Sequence, residues 1–182
     1  MDRKEAISLV KKYVKKENLV KHMIATGAVM RHLARHFGEN EELWELAGIL
    51  HDIDYEKTCN KPDKHGIISI EILKKEGVNN VEIHDAILAH CNKKEHKTLI
   101  EKCIYAADPV TGFIVACALM HPTKSLRGLD LKFLKKRFKE KRFAAGANRD
   151  QMRSIEKVGM TLDEFLSLSL KAMQEISEEL GL

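Results

Sequence analysis

The chain has 182 residues, of which 44% are hydrophobic, a length that suits one domain with a single buried core. Its 10 glycines and 3 prolines are too few for the tight turns of a strand-rich fold, whereas its abundant leucine, alanine, glutamate and lysine favour helices. The net charge of +4 comes largely from residues 132–142 and so does not imply nucleic acid as a partner. The composition predicts an all-α class, as a compact helical bundle in one domain.

Residues 1–17 are charged throughout and lack the apolar stretch of a signal peptide. The longest apolar run, residues 113–120, is too short to cross a bilayer, so we expect a cytoplasmic protein with no membrane partner. No two cysteines have C-x-x-C spacing, which argues against a zinc knuckle or a disulfide framework. We expect reduced thiols, mostly packed as small apolar residues, at Cys59, Cys91, Cys103 and Cys117.

Capping signals divide the chain into helices. The pairs that predict capping boxes are Asp2 with Glu5, Thr98 with Glu101, Asn148 with Gln151, and Thr161 with Glu164. The predicted helices span residues 2–16, 19–37, 41–53, 64–76, 81–91, 98–107, 109–120, 130–141, 149–158 and 162–180. The connection 54–63 directly follows a His-Asp pair, so we expect it to form the rim of a site.

Polar residues occur at inward positions of these helices. His22 lies on the apolar stripe of the second helix, and His51-Asp52 ends the third helix. Asp108 follows Ile100 and Ile104 at four-residue steps, which points its carboxylate inward. A buried carboxylate is costly unless a cation, hydrogen bonds or a metal ion compensates its charge.

Two further histidines extend this group: His65 opens the helix after the 54–63 connection, and His90 continues the apolar stripe of the helix 81–91. The complete set of candidate metal ligands is His22, His51, Asp52, His65, His90 and Asp108. Imidazoles with carboxylates suit one or two divalent transition-metal ions (Fe, Mn, Co, Ni or Zn) better than Mg or Ca. Any one histidine alone is more often an ordinary core or surface residue, so the prediction depends on the combination.

These residues resemble the HD superfamily of metal-dependent phosphohydrolases, whose defining pattern is H-H-D-D, here His22, His51-Asp52 and Asp108 in YAADPVTG. AGILHDIDYEKT resembles the family's HDIG stretch, with Asp54 in place of the glycine. KHGIISIEILKKEG and AILAHC resemble the two histidine segments of the dinuclear members. The resemblance covers roughly residues 18–120, the HD core, and leaves about 125–182 as a helical extension. The layout is similar to that of small stand-alone bacterial members, including those that cleave dinucleoside tetraphosphates.

The resemblance implies an HD-type helical bundle and a two-metal site. His22, His51, Asp52 and Asp108 would hold the first ion, and His65 and His90 the second, with Asp52 bridging. The implied reaction is hydrolysis of a phosphoester or phosphoanhydride of a nucleotide or related small molecule by metal-activated water, with His51 and Asp52 as the central catalytic pair. The alternative is a metal-containing regulatory module that binds a nucleotide without turnover.

Cations are candidates for binding a phosphorylated substrate. Lys57, Lys61 and Lys93 lie in connections next to the proposed ligands, and Lys136 and Arg149 lie in the basic C-terminal third. Residues 131–142 form an amphipathic basic helix, and we favour its docking on the bundle over Lys136, Arg137 or Arg149 reaching across the metal site. Nucleic-acid binding is disfavoured because no interleaved aromatic residues stand ready to stack bases. The final helix is a core or dimer helix, which leaves a homodimer open.

Overall fold

The computed structural model describes residues 1–182 and contains helices but no strand. The α-helices are α1 Arg3–Tyr13, α2 Glu17–Phe37, α3 Glu41–Leu50, α4 Tyr55–Thr58, α5 Ile67–Lys75, α6 Val81–His90, α7 Leu99–Met120, α8 Leu131–Lys139, α9 Arg149–Arg153, α10 Leu162–Glu175 and α11 Ser177–Leu180. Short 3₁₀ helices span Leu126–Gly128 and Ser154–Val158. The predicted all-α class is confirmed.

One hydrophobic core runs through the bundle from Ala6 in α1 to Leu180 in α11. Its largest fully buried side chains include Trp44, Phe113 and Phe165, which come from α3, α7 and α10. Burial of a large apolar side chain contributes about 1.5–3 kcal/mol, so these residues hold distant parts of the chain together. Because α10 packs against α2 and α7, the C-terminal residues share the core that positions the histidines.

Three of the four predicted capping boxes are present, at the starts of α1, α7 and α10. The fourth is half formed. Asn148 accepts a hydrogen bond from the backbone N–H of Gln151 at the start of α9, but the Gln151 side chain does not return one. It donates instead to the carbonyl of Tyr105 in α7, at 2.7 Å.

The contact with Tyr105 explains why the prediction of two helices, 98–107 and 109–120, is wrong. α7 continues without a break through Pro109. Proline has no N–H to donate to the carbonyl four residues earlier, which here is that of Tyr105. Gln151 supplies the missing donor from α9. Asp108 consequently lies inside a long helix rather than at a helix end.

Other boundaries also differ from the predicted ones. The third helix ends at Leu50 instead of residue 53, and residues 51–54 form turns. These turns lead into α4, which lies within the predicted connection 54–63. α5 begins at Ile67, after Gly66 has adopted a φ of +80°. The predicted helices 149–158 and 162–180 are each divided, the first into α9 and a 3₁₀ helix and the second into α10 and α11.

α7 is long and apolar enough, by length and composition, to span a membrane, whereas the sequence prediction had considered only the run 113–120. Within its most apolar window, 56% of the residues are buried inside the protein. α7 also carries Asp108, whose carboxylate lies 3.1 Å from the Nε2 atom of His22 in α2. These contacts are those of a helix in a protein core.

α2 and α3 cross closely at two glycines. A Cβ atom added at Gly48 would lie 2.7 Å from the backbone of Gly27, and one added at Gly27 would lie 2.6 Å from the Ile49 side chain. The two glycines therefore allow a closer approach of the helices than side chains would permit. His22 lies shortly before Gly27 in α2, and His51 follows shortly after Gly48. The crossing therefore brings these two histidines toward one another.

We predict that Gly48→Ala lowers the free energy of unfolding by about 1–3 kcal/mol, because the added methyl group must push α2 and α3 apart. Gly112→Ala in α7 is the matched control, since a Cβ atom there meets nothing within 4 Å. Alanine's helix propensity should make that variant more stable by up to about 1 kcal/mol. Urea unfolding followed by circular dichroism measures both changes. A Gly48→Ala protein as stable as the wild type would contradict the close crossing.

Candidate metal centre

The structure brings all six predicted ligand residues to one place. They come from five parts of the chain: His22 from α2, His51 and Asp52 from the turn after α3, His65 from the turn before α5, His90 from the end of α6, and Asp108 from α7. His51 is fully buried, and Asp52 and His90 are nearly so. The bundle thus collects four imidazoles and two carboxylates in one cluster, in which His22, His65 and Asp108 are half-buried.

The four imidazoles have one feature in common: the Nδ1 atom of each contacts a hydrogen-bond acceptor outside the cluster. The acceptors are the Thr111 hydroxyl for His22 at 2.9 Å, the Gly48 carbonyl for His51 at 2.8 Å, the Asp54 carboxylate for His65 at 2.9 Å, and the Ile87 carbonyl for His90. A neutral imidazole that donates from Nδ1 keeps a lone pair on Nε2. Each of the four Nε2 atoms faces the cluster and, in the neutral form of its ring, can donate to a metal ion.

Asp52 lies between two pairs of histidines. Its Oδ2 atom is 3.7 Å from the Nε2 atom of His22 and 3.5 Å from that of His51. Its Oδ1 atom is 3.3 Å from the Nε2 atoms of both His65 and His90. The two oxygens of one carboxylate thus face different histidine pairs.

Asp108 completes the side of the cluster that holds His22 and His51. Its Oδ1 atom lies 3.1 Å from the Nε2 atom of His22 and 3.7 Å from that of His51. The ligand atoms of these three residues all lie within 4.8 Å of one another, which is close enough to share an ion. Thr111, one turn further along α7, donates to the Asp108 carbonyl and so is oriented to accept from His22.

The donor set fits a divalent transition-metal ion. The Nε2 atom of His51 is buried and has no hydrogen-bond partner, an arrangement that is costly unless another species binds the nitrogen. Imidazole nitrogens and carboxylate oxygens are ligands that Fe, Mn, Co, Ni and Zn accept.

The pKa values in the cluster reflect strong attraction between opposite charges. Burial favours the neutral carboxyl form, yet the surrounding imidazoles hold the pKa of Asp52 and of Asp108 well below the usual range. Burial lowers the pKa of His51, but Asp52 and Asp108 outweigh it and raise the value to about 9. Asp52 and Asp54 likewise outweigh burial and raise the pKa of His65 to about 10. The carboxylates stay negative and require cations beside them.

Cys91 lies within ligand distance of His65 and His90, which the sequence did not predict. Its Sγ atom contacts the carbonyls of His65 and Leu88 at 3.5 and 3.4 Å. Burial raises the pKa of this thiol to about 11, which keeps it protonated and able to donate to those carbonyls. A Cβ atom at Gly66 would lie 2.5 Å from the Sγ atom, so this glycine makes room for the thiol. Cys91 therefore supports the turn that carries His65.

Tyr55 is a second residue at the site that sequence reasoning missed. Its ring packs edge-on against His65, with centroids 5.4 Å apart, and 38% of the residue is exposed. Burial and the negative charges of Asp52 and Asp108 raise the pKa of the phenol, which keeps it protonated. Its position directly after the HDID segment was the available signal.

The predicted substrate-binding lysines lie in different places. Lys57, Lys61 and Lys93 are exposed in or beside the connections next to the ligands, and the Nζ atom of Lys57 lies 5.1 Å from the centre of the Tyr13 ring. Lys136 is exposed on α8, within a group of lysines. Lys57, Lys61 and Lys93 are near residues of the cluster in the sequence, and the contact of all four lysines with substrate stays a prediction.

Arg149 makes structural contacts, and its predicted contact with substrate stays a prediction. Its guanidinium donates to the carbonyls of Phe138, Phe143, Ala144 and Ala147. It also lies over the Phe113 ring, 4.7 Å from the centroid. These bonds use four of the five N–H donors of an arginine, so Arg149 holds the 138–147 segment against α7.

A surface cavity of about 810 Å³ lies elsewhere on the protein, between α1, α3 and the connection from α5 to α6. None of the six clustered residues lines it. A cavity of about 230 Å³ is lined by His22 and Thr111 together with Leu180 and Leu182. The donor chemistry, rather than cavity size, identifies the candidate centre.

Comparisons with known proteins point to the same family as the residues of the cluster. The family description "HD domain" matches residues 19–111. Ribonuclease Y of Fusobacterium nucleatum is 30% identical over 95 residues, which cover 52% of this chain and 18% of that protein. The symmetrical bis(5'-nucleosyl)-tetraphosphatase of Bacillus subtilis is 28% identical over 130 residues, which cover 59% of this chain and 68% of that protein.

Ribonuclease Y of Staphylococcus epidermidis is 32% identical over the matched residues, and the chain again spans only 18% of that protein's length. No solved structure matches the chain. The family match extends over just over half of the chain and includes every residue of the cluster, from His22 to Asp108. With this match and this cluster, the chain belongs to the HD domain family, whose members are generally metal-dependent hydrolases.

Proposed function

We propose that the protein is a metal-dependent phosphohydrolase that cleaves a phosphoester or phosphoanhydride bond of a nucleotide or a related small molecule. The observation that carries this proposal is the position of Asp52, whose two oxygens face two different histidine pairs. A carboxylate placed in this way can be shared by two neighbouring ions. Two adjacent ions are a recurrent arrangement in enzymes that hydrolyse phosphate esters.

In this proposal His22, His51, Asp52 and Asp108 would hold one ion, and His65, His90 and Asp52 would hold the other. Divalent ions of Fe, Mn, Co, Ni or Zn would acidify a water molecule and neutralise charge on phosphoryl oxygens. The chain's own contribution is to fix the ligands in advance. Each imidazole is held through Nδ1, so its Nε2 atom needs no reorientation when an ion binds.

Residues around the cluster would orient the substrate. The protonated Tyr55 phenol can donate a hydrogen bond to a phosphoryl oxygen or to the departing oxygen. Lys57, Lys61 and Lys93 are exposed and lie near residues of the cluster in the sequence. Their ammonium groups would attract a polyanion. These groups give the site the chemistry for a phosphate-rich ligand.

The relative from Bacillus subtilis supports a dinucleoside polyphosphate as the first substrate to test, because this chain covers two thirds of that protein. The ribonuclease Y relatives support phosphodiester substrates less strongly, since the match covers less than a fifth of their length. A bound nucleotide that is not hydrolysed would instead support the regulatory module.

We predict that Mn²⁺ at 100 times its dissociation constant stabilises the protein by about 2.7 kcal/mol, because the ion binds only the folded chain. For a chain of this length that is a rise in Tm of about 5–11 °C, which EDTA should reverse. Asp52→Ala should lose most of the rise, since Asp52 contacts both proposed ion sites. Differential scanning fluorimetry measures the shift. An unchanged Tm on adding Mn²⁺, Fe²⁺, Co²⁺, Ni²⁺ or Zn²⁺ would contradict the metal centre.

We predict that Asp52→Ala lowers hydrolysis of diadenosine tetraphosphate or a phosphomonoester by at least about 100-fold, because both ions lose a ligand. Asp63→Ala is the matched control: it removes an exposed carboxylate in the neighbouring connection and should leave the rate unchanged. Phosphate release or nucleotide chromatography measures turnover. Undiminished hydrolysis by Asp52→Ala would contradict the mechanism.

A further inference from the structure

Asp54 stands where the resembling HDIG stretch has a glycine, and the proposed reaction gives it no role. We propose that Asp54 is the positioning residue for His65 and that it sets the affinity of the ion held by His65, His90 and Asp52. This inference rests on the two-ion site of the proposed function. Asp54 would then be the residue that makes the second ion site bind tightly.

Both carboxylate oxygens of Asp54 have fixed partners. The residue is fully buried. Its Oδ2 atom accepts hydrogen bonds from the backbone N–H groups of Gly66 and Ser69, at 2.9 and 3.1 Å. Its Oδ1 atom lies 2.9 Å from the Nδ1 atom of His65. The two backbone bonds prevent the carboxylate from turning, so Oδ1 is held toward His65.

Only the neutral imidazole binds an ion, and it carries a single proton. Because the Asp54 carboxylate accepts a hydrogen bond at Nδ1, that proton stays on Nδ1 and the lone pair lies on Nε2, which is 3.3 Å from Asp52 and 3.1 Å from the Nε2 atom of His90. His22, His51 and His90 instead contact a hydroxyl or a carbonyl. A carboxylate partner makes an imidazole a stronger metal donor than a neutral partner does. His65 alone of the four has that partner.

Asp54 also fixes the backbone that carries His65. The bonds to Gly66 and Ser69 satisfy N–H groups at the start of α5, which the helix itself leaves unpaired. The backbone at Asp54 has a φ of −97°, which suits any L-residue. The position therefore does not require glycine, and the positive φ in this region is at Gly66.

Asp54→Asn tests the inference with almost no change in volume. The amide oxygen must remain with the N–H groups of Gly66 and Ser69, so the amide NH₂ faces His65. A donor at that place moves the proton of His65 to Nε2 and removes the lone pair that an ion needs. Titration calorimetry with Mn²⁺ should show the second ion bound about 10–100 times more weakly than by the wild type. Binding of the first ion should be unchanged.

Thr58→Val is the matched control. The Thr58 hydroxyl lies 3.4 Å from the same Nδ1 atom and donates to the Asp54 carbonyl. Its loss leaves the carboxylate in place, so both ions should bind as in the wild type. Asp54→Gly, with the residue that the HDIG stretch carries, is a second test if the asparagine variant does not fold. It should show the same loss of affinity for the second ion.

Wild-type affinity for both ions in Asp54→Asn or Asp54→Gly would overturn the role of Asp54. The proposed hydrolase activity would then still stand, because the wild type would bind two ions and turn over substrate. A wild-type protein that binds fewer than two Mn²⁺ ions would overturn both the two-ion site and this inference. Equal losses in Asp54→Asn and Thr58→Val would also overturn it, because they would show that any polar change beside His65 has the same effect.

Discussion

The structure depends on compensating two carboxylates inside a helical bundle, one buried (Asp52) and one half-buried (Asp108). Asp52 and Asp108 lie among apolar helices, and each is held ionised by neighbouring imidazoles. Such charges are costly in a protein interior unless cations lie beside them. Four histidines surround the two carboxylates and present the ligand atoms that could hold a divalent cation between them. The arrangement of the helices around the cluster serves to keep these six side chains together.

The fold positions the cluster through contacts that are distant from it in sequence. The close crossing at Gly27 and Gly48 places α2 beside α3. The side chain of Gln151 satisfies the carbonyl that Pro109 leaves free, and so keeps α7 continuous past Asp108. Each of these contacts helps to place a helix that carries or precedes a residue of the cluster. The candidate metal centre thus depends on the packing of the bundle.

The convergence of the six residues could be anticipated because apolar periodicity shows which side of a helix faces inward. Asp108 was placed correctly by its four-residue steps from Ile104, even though the predicted helix end beside it was wrong. The continuity of α7 could not be foreseen, since the donor from Gln151 comes 46 residues after the carbonyl of Tyr105. The bonds of Asp54 and the stacking of Arg149 likewise depend on backbone positions that only the folded chain defines.

The central claim is that Asp52 is shared by two ions, and anomalous diffraction tests it most directly. Crystals grown with Mn²⁺ and measured near the manganese absorption edge should show two anomalous peaks on opposite sides of the Asp52 carboxylate. One peak should be bounded by His22, His51 and Asp108, and the other by His65 and His90. A single peak that does not contact Asp52, or none within this cluster, would contradict the account.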